Sequence, residues 1–437
     1  MVRSIPMSGN SKARCVDASY RLRALEPGGG CIHVEAPSVR DAPQMTSRDD
    51  GRPLRILFVN SGLGYGGAET QLLETVRELR RRGHRPHVYL LTRVAPRANE
   101  LKGLDIPVHI DEKRGRLDVR VIARIRRYVL DHDIDVIHGF LFDANVYVRL
   151  AGLGTGVPVF NAERSSDYQL SKAQWVAHVL TRRFVNGVIA NTHAGRAFAA
   201  RQYALPDFHT HVTWNGIDLA QVDQRCGVST TDYRQLFFED RSVRIATFVG
   251  SINPSKDHAL ALAVADALTH SDPSWRVLFV GASFDGTHFD YKVAAVGQSN
   301  ELAAAIEAQR RSLRHADKIR FVGRRSDALE IVAASDVLFS TSVREGFPNA
   351  VLEAMSVGTP VVSTNYSDIK LILGHDEWVI DSRDPNEMAA AIRRAEASGA
   401  DIGRQLRRWV EEHATIERSV DALLDVYRPY LRAEENS

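Results

Sequence analysis

Two blocks of this sequence share one rhythm, short apolar runs alternating with helical stretches, and few folds accommodate it. In the first block the runs are LRILFVN (54–60), HVYLL (87–91), DVIHGF (135–140), VPVFNAE (157–163) and GVIAN (187–191). Helical periodicity separates them, most clearly over 116–132 and 172–184. Short runs that are apolar throughout belong to strands covered on both faces, as in a parallel sheet between helix layers. The periodicity fades after the Asn-Gly turn of VTWNGIDLAQ (212–221) and restarts at VRIATFVG (243–250). WRVLFVG (275–281), KIRFVG (318–323), SDVLFS (335–340) and TPVVST (359–364) continue it. The chain is therefore predicted to be α/β, with two Rossmann-like doubly wound domains, 53–225 and 240–412, facing a central cleft. A helical pattern closes the chain over 413–432, where Ile416, Val420, Leu423, Leu424 and Tyr427 recur on one face.

Composition narrows the function. At 437 residues the chain exceeds one ordinary core and suits two domains of ~150–200 residues. The 56 basic and 54 acidic residues leave a net charge of +2, which gives no global argument for a nucleic-acid partner, and none is expected. Cys15, Cys31 and Cys226 have neither metal spacing nor the number for a disulfide framework, so a reduced, cytoplasmic protein is expected. No run reaches the ~18–20 apolar residues of a membrane span, and no apolar segment marks a signal peptide. Residues 1–52 are rich in Gly, Pro, Ser and Arg and are expected to form a disordered leader, with Met45 a candidate start of translation.

Ligands of doubly wound sheets bind beyond the carboxyl ends of the strands, so the loops there carry the chemistry. The most informative is REGFPNAVLEAMSVGTPVV (344–362). Glu345 leaves a strand, Asn349 is the expected N-cap of a helix, and Glu353 follows one turn in. That helix would aim free N–H groups at the cleft, suited to a diphosphate. Carboxylates beside an anion site make sense if they accept hydrogen bonds from vicinal hydroxyls of a sugar or ribose. A second loop, GSINPSKDHALAL (250–262), places Lys256 near a helix start, against the helix dipole unless an anion neutralises it.

Other motifs read less well. Gly62, Gly64 and Gly67 spell a dinucleotide fingerprint, and Thr92 and Arg93 would suit a phosphorylated cofactor, yet that reading leaves the second block unexplained. Asp133 and Asp135 suggest a metal-binding pair, but they precede a strand and read as loop caps.

GGAE (66–69), RGH (82–84), NGID (215–218), the Lys256 loop, RFVG (320–323) and EGFPNAVLEA (345–354) occur in this order. Together, over roughly 54–432, they resemble the retaining glycosyltransferases of the GT-B fold in family 4, marked by Glu-x7-Glu. The resemblance implies a final helix crossing back to the first domain. It also implies transfer from a nucleotide-diphosphate sugar to an acceptor hydroxyl, with retention and with neither cofactor nor metal. Glu353 then holds the donor ribose, Glu345 contacts the donor sugar and is needed for catalysis, and Lys256 neutralises the diphosphate. Gly346, Phe347, Pro348, Asn349 and Ala350 cradle phosphate and sugar, Gly323 and Arg324 line the base, and Gly66 and Gly67 close over the phosphate. A UDP-sugar is the expected donor on frequency alone, and a glycan or lipid-linked hydroxyl the expected acceptor. Two positions depart from the family pattern. Ser251 replaces an arginine often found on the diphosphate, and Phe140, two residues beyond His138, replaces a histidine near the donor sugar. Arg164 or Arg324 would have to compensate, with His138 and Arg164 assigned to the acceptor side. A sugar-nucleotide epimerase and an inactive nucleotide-sugar-binding protein are the alternatives.

Finally, Arg116, Arg120, Arg124 and Arg127 recur on one face of the helix predicted over 116–130. The stripe would serve as a solvated face, or as a peripheral contact with anionic membrane that brings a lipid-linked acceptor to the cleft.

Overall fold

Each of the ten apolar runs forms a strand, and the strands assemble into two wholly parallel sheets. The computed structural model describes residues 52–115, 118–165, 170–204, 209–282 and 296–431, with side chains in the last segment from 301. Residues 1–51 of the expected leader, and Arg116, lie outside them.

The first sheet is built from β1 (Arg55–Asn60), α1 (Gly67–Arg81), β2 (Arg85–Leu90), α2 (Ala98–Lys102), β3 (Val108–Ile110), α3 (Val119–Asp131) and β4 (Val136–Phe140). It continues with α4 (Leu141–Gly152), β5 (Val159–Glu163), α5 (Lys172–Thr181), β6 (Gly187–Ala190), α6 (His193–Tyr203) and β7 (Thr210–Val212). Helices α7 (Leu219–Val228) and α8 (Tyr233–Phe238) lead to β8 (Arg244–Val249), α9 (His258–Ser271), β9 (Trp275–Val280) and α10 (Val296–Ser312). The second sheet is completed by β10 (Ile319–Phe321), α11 (Ala328–Ala333), β11 (Val337–Ser340), α12 (Asn349–Ser356), β12 (Val361–Thr364), α13 (Ile369–Leu373) and β13 (Val379–Ile380). Helices α14 (Pro385–His413), bent at Gly399, and α15 (Ile416–Tyr427) end the fold.

Strand order is β3-β2-β1-β4-β5-β6-β7 in the first sheet and β10-β9-β8-β11-β12-β13 in the second. Order reverses between β1 and β4, and again between β8 and β11. At such a switch point the two following loops diverge to opposite faces and leave a crevice. In the second sheet those loops are the ones that carry Lys256 and Glu345.

Three strands and two helices go beyond the sequence reading. β3, β7 and β13 lie at sheet edges and are two or three residues long, too short to register as apolar runs. α7 and α8 occupy the stretch where periodicity fades, because each buries a single side chain, Val222 and Tyr233. Their starts are set by Asp218 and Asp232, which accept from the backbone N–H of Gln221 and Gln235, both at 3.0 Å.

Helix α15 packs on the first sheet. Ile416, Val420, Leu423 and Tyr427 join Ile56, Phe58, Leu72 and Val76 in one apolar cluster. A fully buried aliphatic or aromatic side chain contributes about 1.5–3 kcal/mol, so these four anchor α15 to β1 and α1. Arg82, in the turn after α1, reinforces the contact by donating to Glu78 at 2.6 Å and to the carbonyl of Glu417 at 2.8 Å.

Candidate functional site

The loop after β8 folds Lys256 over Gly250. A Cβ at Gly250 would meet the Lys256 side chain at 3.2 Å, a contact tighter than ordinary packing. Lys256 ends a short 3-10 turn, Pro254–Lys256, and Asp257 then adopts φ 46° and caps α9 through Leu260 N–H at 3.0 Å. The lysine thus precedes the cap of α9. Thr341, just beyond β11, donates to the carbonyls of both Lys256 and Asp257 at 2.9 Å. The N–H of Val343 donates to Ser255 O at 2.8 Å. These bonds join the two switch-point loops and set Lys256 Nζ 2.6 Å from Glu345 Oε1, which also accepts from Ser342 Oγ at 2.8 Å. The two side chains are only 20% and 17% exposed, so the pair is partly withdrawn from water and its geometry is fixed by the loops. Ser251 Oγ lies 3.3 Å from Asn253 Nδ2 and contributes no charge.

Helix α12 starts differently from the sequence reading. Pro348 is its N-cap and Asn349 its first helical residue, with no side-chain cap. The Asn349 amide is engaged elsewhere. Its Nδ2 donates to Gly67 O at 3.0 Å and its Oδ1 accepts from Asn215 Nδ2 at 2.6 Å. Asn215 Oδ1 in turn accepts from Arg164 Nη1 at 2.9 Å. A chain of hydrogen bonds therefore runs from Arg164 through the Asn-Gly turn and α12 to the start of α1, across the cleft. Glycines permit this approach. A Cβ on Gly346 would lie 2.2 Å from Arg164 O, and one on Gly67 would lie 3.0 Å from Asn349 Nδ2. Gly66 caps α1, and the guanidinium of Arg324 stacks 3.7 Å above the Tyr65 ring. Gly323, at φ 68°, bridges two strand ends: its N–H donates to Ala282 O, and its carbonyl accepts from Gly281 N–H. Phe347 is buried beside Trp214 and Ala350 is half-buried.

Glu353, one turn into α12, is half-buried. Burial pushes its carboxyl up to about 7, against the opposing pull of Arg225 and Lys256. It lines a pocket of about 590 Å³ with Asn349, Gln71, Glu74, Arg97 and Arg225. Glu345 and Lys256 are outside that lining, so Glu353 is the member of the trio that borders this pocket.

His138, read from the sequence as an acceptor-side residue, lies in the interior. It is fully buried, its Nδ1 lies 2.5 Å from the Tyr427 hydroxyl, and its ring packs against Phe58 and Phe140. β4 turns this residue onto the face that α15 covers. Arg164 lies with its guanidinium 4.6 Å above the Phe140 ring. Burial lowers its pKa to about 10, which still leaves it a cation at neutral pH. On α3, Arg120 pairs with Asp118 at 2.9 Å and Arg124 with Asp111 at 2.7 Å, while Arg127 is exposed. Those carboxylates offset much of the charge of the arginine stripe.

Asn215 and Tyr65 were missed as site residues. Asn215 was legible only as half of an Asn-Gly turn, and nothing near Tyr65 in sequence announces its cation partner.

Residues 65–221 match the family model described as Glycosyltransferase Family 4, and residues 230–414 match that of Glycosyl transferases group 1. The chain belongs to this glycosyltransferase family. N-acetyl-alpha-D-glucosaminyl L-malate synthase of Bacillus anthracis is 26% identical over 155 residues, covering 34% of this chain and 40% of that protein. D-inositol 3-phosphate glycosyltransferase of Saccharomonospora viridis is 27% identical over 199 residues, 43% of each. These matches span less than half the length of either relative. Among solved structures, Anabaena HepE in complex with UDP superposes with a TM-score of 0.72 at 20% identity, over 86% of this chain and 100% of that one. A glycosyltransferase from Rickettsia africae gives 0.73 at 15%, over 88% and 100%. The fold of this glycosyltransferase is GT-B, two Rossmann-like domains about a cleft.

Gly346 lets the loop before α12 approach the Arg164 carbonyl closely. Gly346→Ala forces a methyl into the Arg164 carbonyl, an overpacking that costs about 1–3 kcal/mol. Turnover is expected to fall about ten-fold or more while each domain keeps its circular dichroism. Wild-type turnover in this variant would show that the contact is not needed.

Proposed function

We propose that this glycosyltransferase moves a sugar from a nucleotide-diphosphate sugar to an acceptor hydroxyl with retention of configuration and without a metal ion. The observation that carries the reading is the Lys256–Glu345 pair at the switch point of the second sheet, with Glu353 one turn along α12. Lys256 balances charge that grows on the departing diphosphate, an electrostatic role that is strongest in a site shielded from water. The N–H groups of Phe347, Asn349 and Ala350, with Gly346 allowing close approach, face the phosphates and donor sugar. Glu353 accepts from the ribose hydroxyls, and Gly323 with Arg324 lines the base. Gly66 and Gly67 close from the first domain, and Glu345 attends the reacting sugar. As the acceptor oxygen bonds to the anomeric carbon, the bond to the diphosphate breaks, and a phosphate oxygen takes the acceptor proton. Retention and independence of metal rest on the family resemblance. A UDP-sugar donor is supported by HepE, which has been solved with UDP and with UDP-glucose. The acceptor is read as a glycan or lipid-linked hydroxyl in glycoconjugate biosynthesis. Among the described residues no helix is long and apolar enough to cross a membrane.

Purified protein offered UDP-, GDP-, ADP- and TDP-sugars is expected to release the nucleoside diphosphate from one preferred donor, with the rate unchanged by EDTA. Binding of a donor without release would favour an inactive binding protein. Loss of release in EDTA, restored by a divalent ion, would overturn the metal-free step.

A further inference from the structure

Helix α5 is turned inside out. Its inward face carries His178 and Thr181, both buried and both in contact with a buried cation. Arg149 Nη1 donates to Thr181 Oγ1 at 3.1 Å and lies 3.5 Å from His178 Nδ1. The same guanidinium donates to Asn161 Oδ1 at 2.5 Å and to Tyr203 Oη at 2.6 Å. The polar face of α5 is thus committed to the interior. Its outward face presents Trp175, Val176, Val179 and Leu180, followed by Phe184 just past the helix end. Leu180 is 68% exposed and Val176 56%, far from the burial that periodic apolar residues usually find on a surface helix. From Ser171 to Ala204 the sequence contains no Asp or Glu, against Lys172, Arg182, Arg183, Arg196 and Arg201. Lys172 and Arg183 flank the apolar face and are exposed.

An apolar helix face with an interfacial tryptophan, set in a carboxylate-free basic segment, matches a surface that is oily beneath and anionic above. We propose that α5 is the face by which this protein rests on an anionic lipid bilayer, with Trp175, Val176, Val179, Leu180 and Phe184 entering the interface and the flanking cations meeting the headgroups. A protein partner of the same polarity would need acids around an apolar groove; a bilayer supplies both without a defined shape. Ser171 lies seven residues beyond Arg164, a stretch of at most ~25 Å, so docking here holds the cleft close to the membrane. The proposal stands whether or not the cleft transfers sugar.

Co-sedimentation of the full chain with phosphatidylcholine vesicles, with and without phosphatidylglycerol, tests it. The wild type is expected to pellet with the anionic vesicles and to shift its tryptophan emission to the blue. Val176→Gln/Leu180→Glu alters two exposed side chains, should melt as wild type, and is expected to lower the bound fraction about ten-fold or more. Trp175→Phe should largely keep binding and lose the shift. Arg120→Gln/Arg124→Gln/Arg127→Gln on α3 should keep both. Equal pelleting of wild type and the α5 double variant overturns the proposal, as does a wild type that ignores anionic vesicles. A wild-type dimer that the double variant makes monomeric, with no vesicle binding by either, assigns the face to a second copy and overturns it too.

Discussion

Lys256→Ala is expected to lower turnover about 10²–10³-fold with the best donor. Ser251 offers no second cation beside it, so the charge of the leaving diphosphate falls mainly on this one side chain. The substitution has a second effect that must be separated from the first. Removing the lysine takes away the cation 2.6 Å from the partly buried Glu345 carboxylate, which destabilises the fold on its own account. Lys256→Ala/Glu345→Gln removes both charges and should recover the melting temperature, whereas turnover should stay low. Ser251→Arg should leave turnover unchanged or raise it. A Lys256→Ala enzyme with near wild-type kcat would move the role to another cation, with Arg164 and Arg324 the first to substitute.

Glu353→Gln is expected to weaken donor binding about ten-fold while making the ligand-free protein more stable at alkaline pH. Burial raises this carboxyl from its ordinary value near 4.5 to about 7. The unfolded chain therefore gives up the proton near pH 4.5 and the folded chain near pH 7. Between those values the folded state binds more protons, so stability falls as pH rises through that window and remains lower above it. The full cost is on the order of 3 kcal/mol, and the neutral amide avoids it. Melting at pH 8 should rise by a few degrees in the variant, while melting at pH 4 should not change. The affinity loss arises because an amide accepts paired diol hydrogen bonds less well than a carboxylate. Equal melting of the two proteins at pH 8 would mean that the Glu353 carboxyl is not strained by burial. Unchanged donor affinity would remove Glu353 from the ribose.

The strands that position the site were legible because parallel strands are covered on both faces and so carry unbroken apolar runs; LRILFVN became β1 and SDVLFS led into β11. The two loops of the switch point were legible for the same reason, since each joins such a strand to a helix. Contacts made across the fold were not legible. Asn349 has the composition of a cap, but its amide is held by Gly67, 282 residues away in sequence, and by Asn215. His138 sits in the middle of β4, and only the return of α15 shows that Tyr427 encloses it. The arginines of α3 read as a free stripe because Asp111 and Asp118 lie off the helix. In α5, periodicity located the helix, yet the buried Arg149, on another helix, decides which of its faces turns inward.

The most direct test of the donor site is the position of the bound nucleotide. Crystals grown with the nucleoside diphosphate chosen by the donor screen should show its ribose hydroxyls on Glu353, its phosphates on Lys256 and the N–H groups that open α12, and its base beside Gly323 and Arg324. A nucleotide held instead by the Gly62–Gly67 loop of the first domain, with Lys256 and Glu353 untouched, would contradict the assignment.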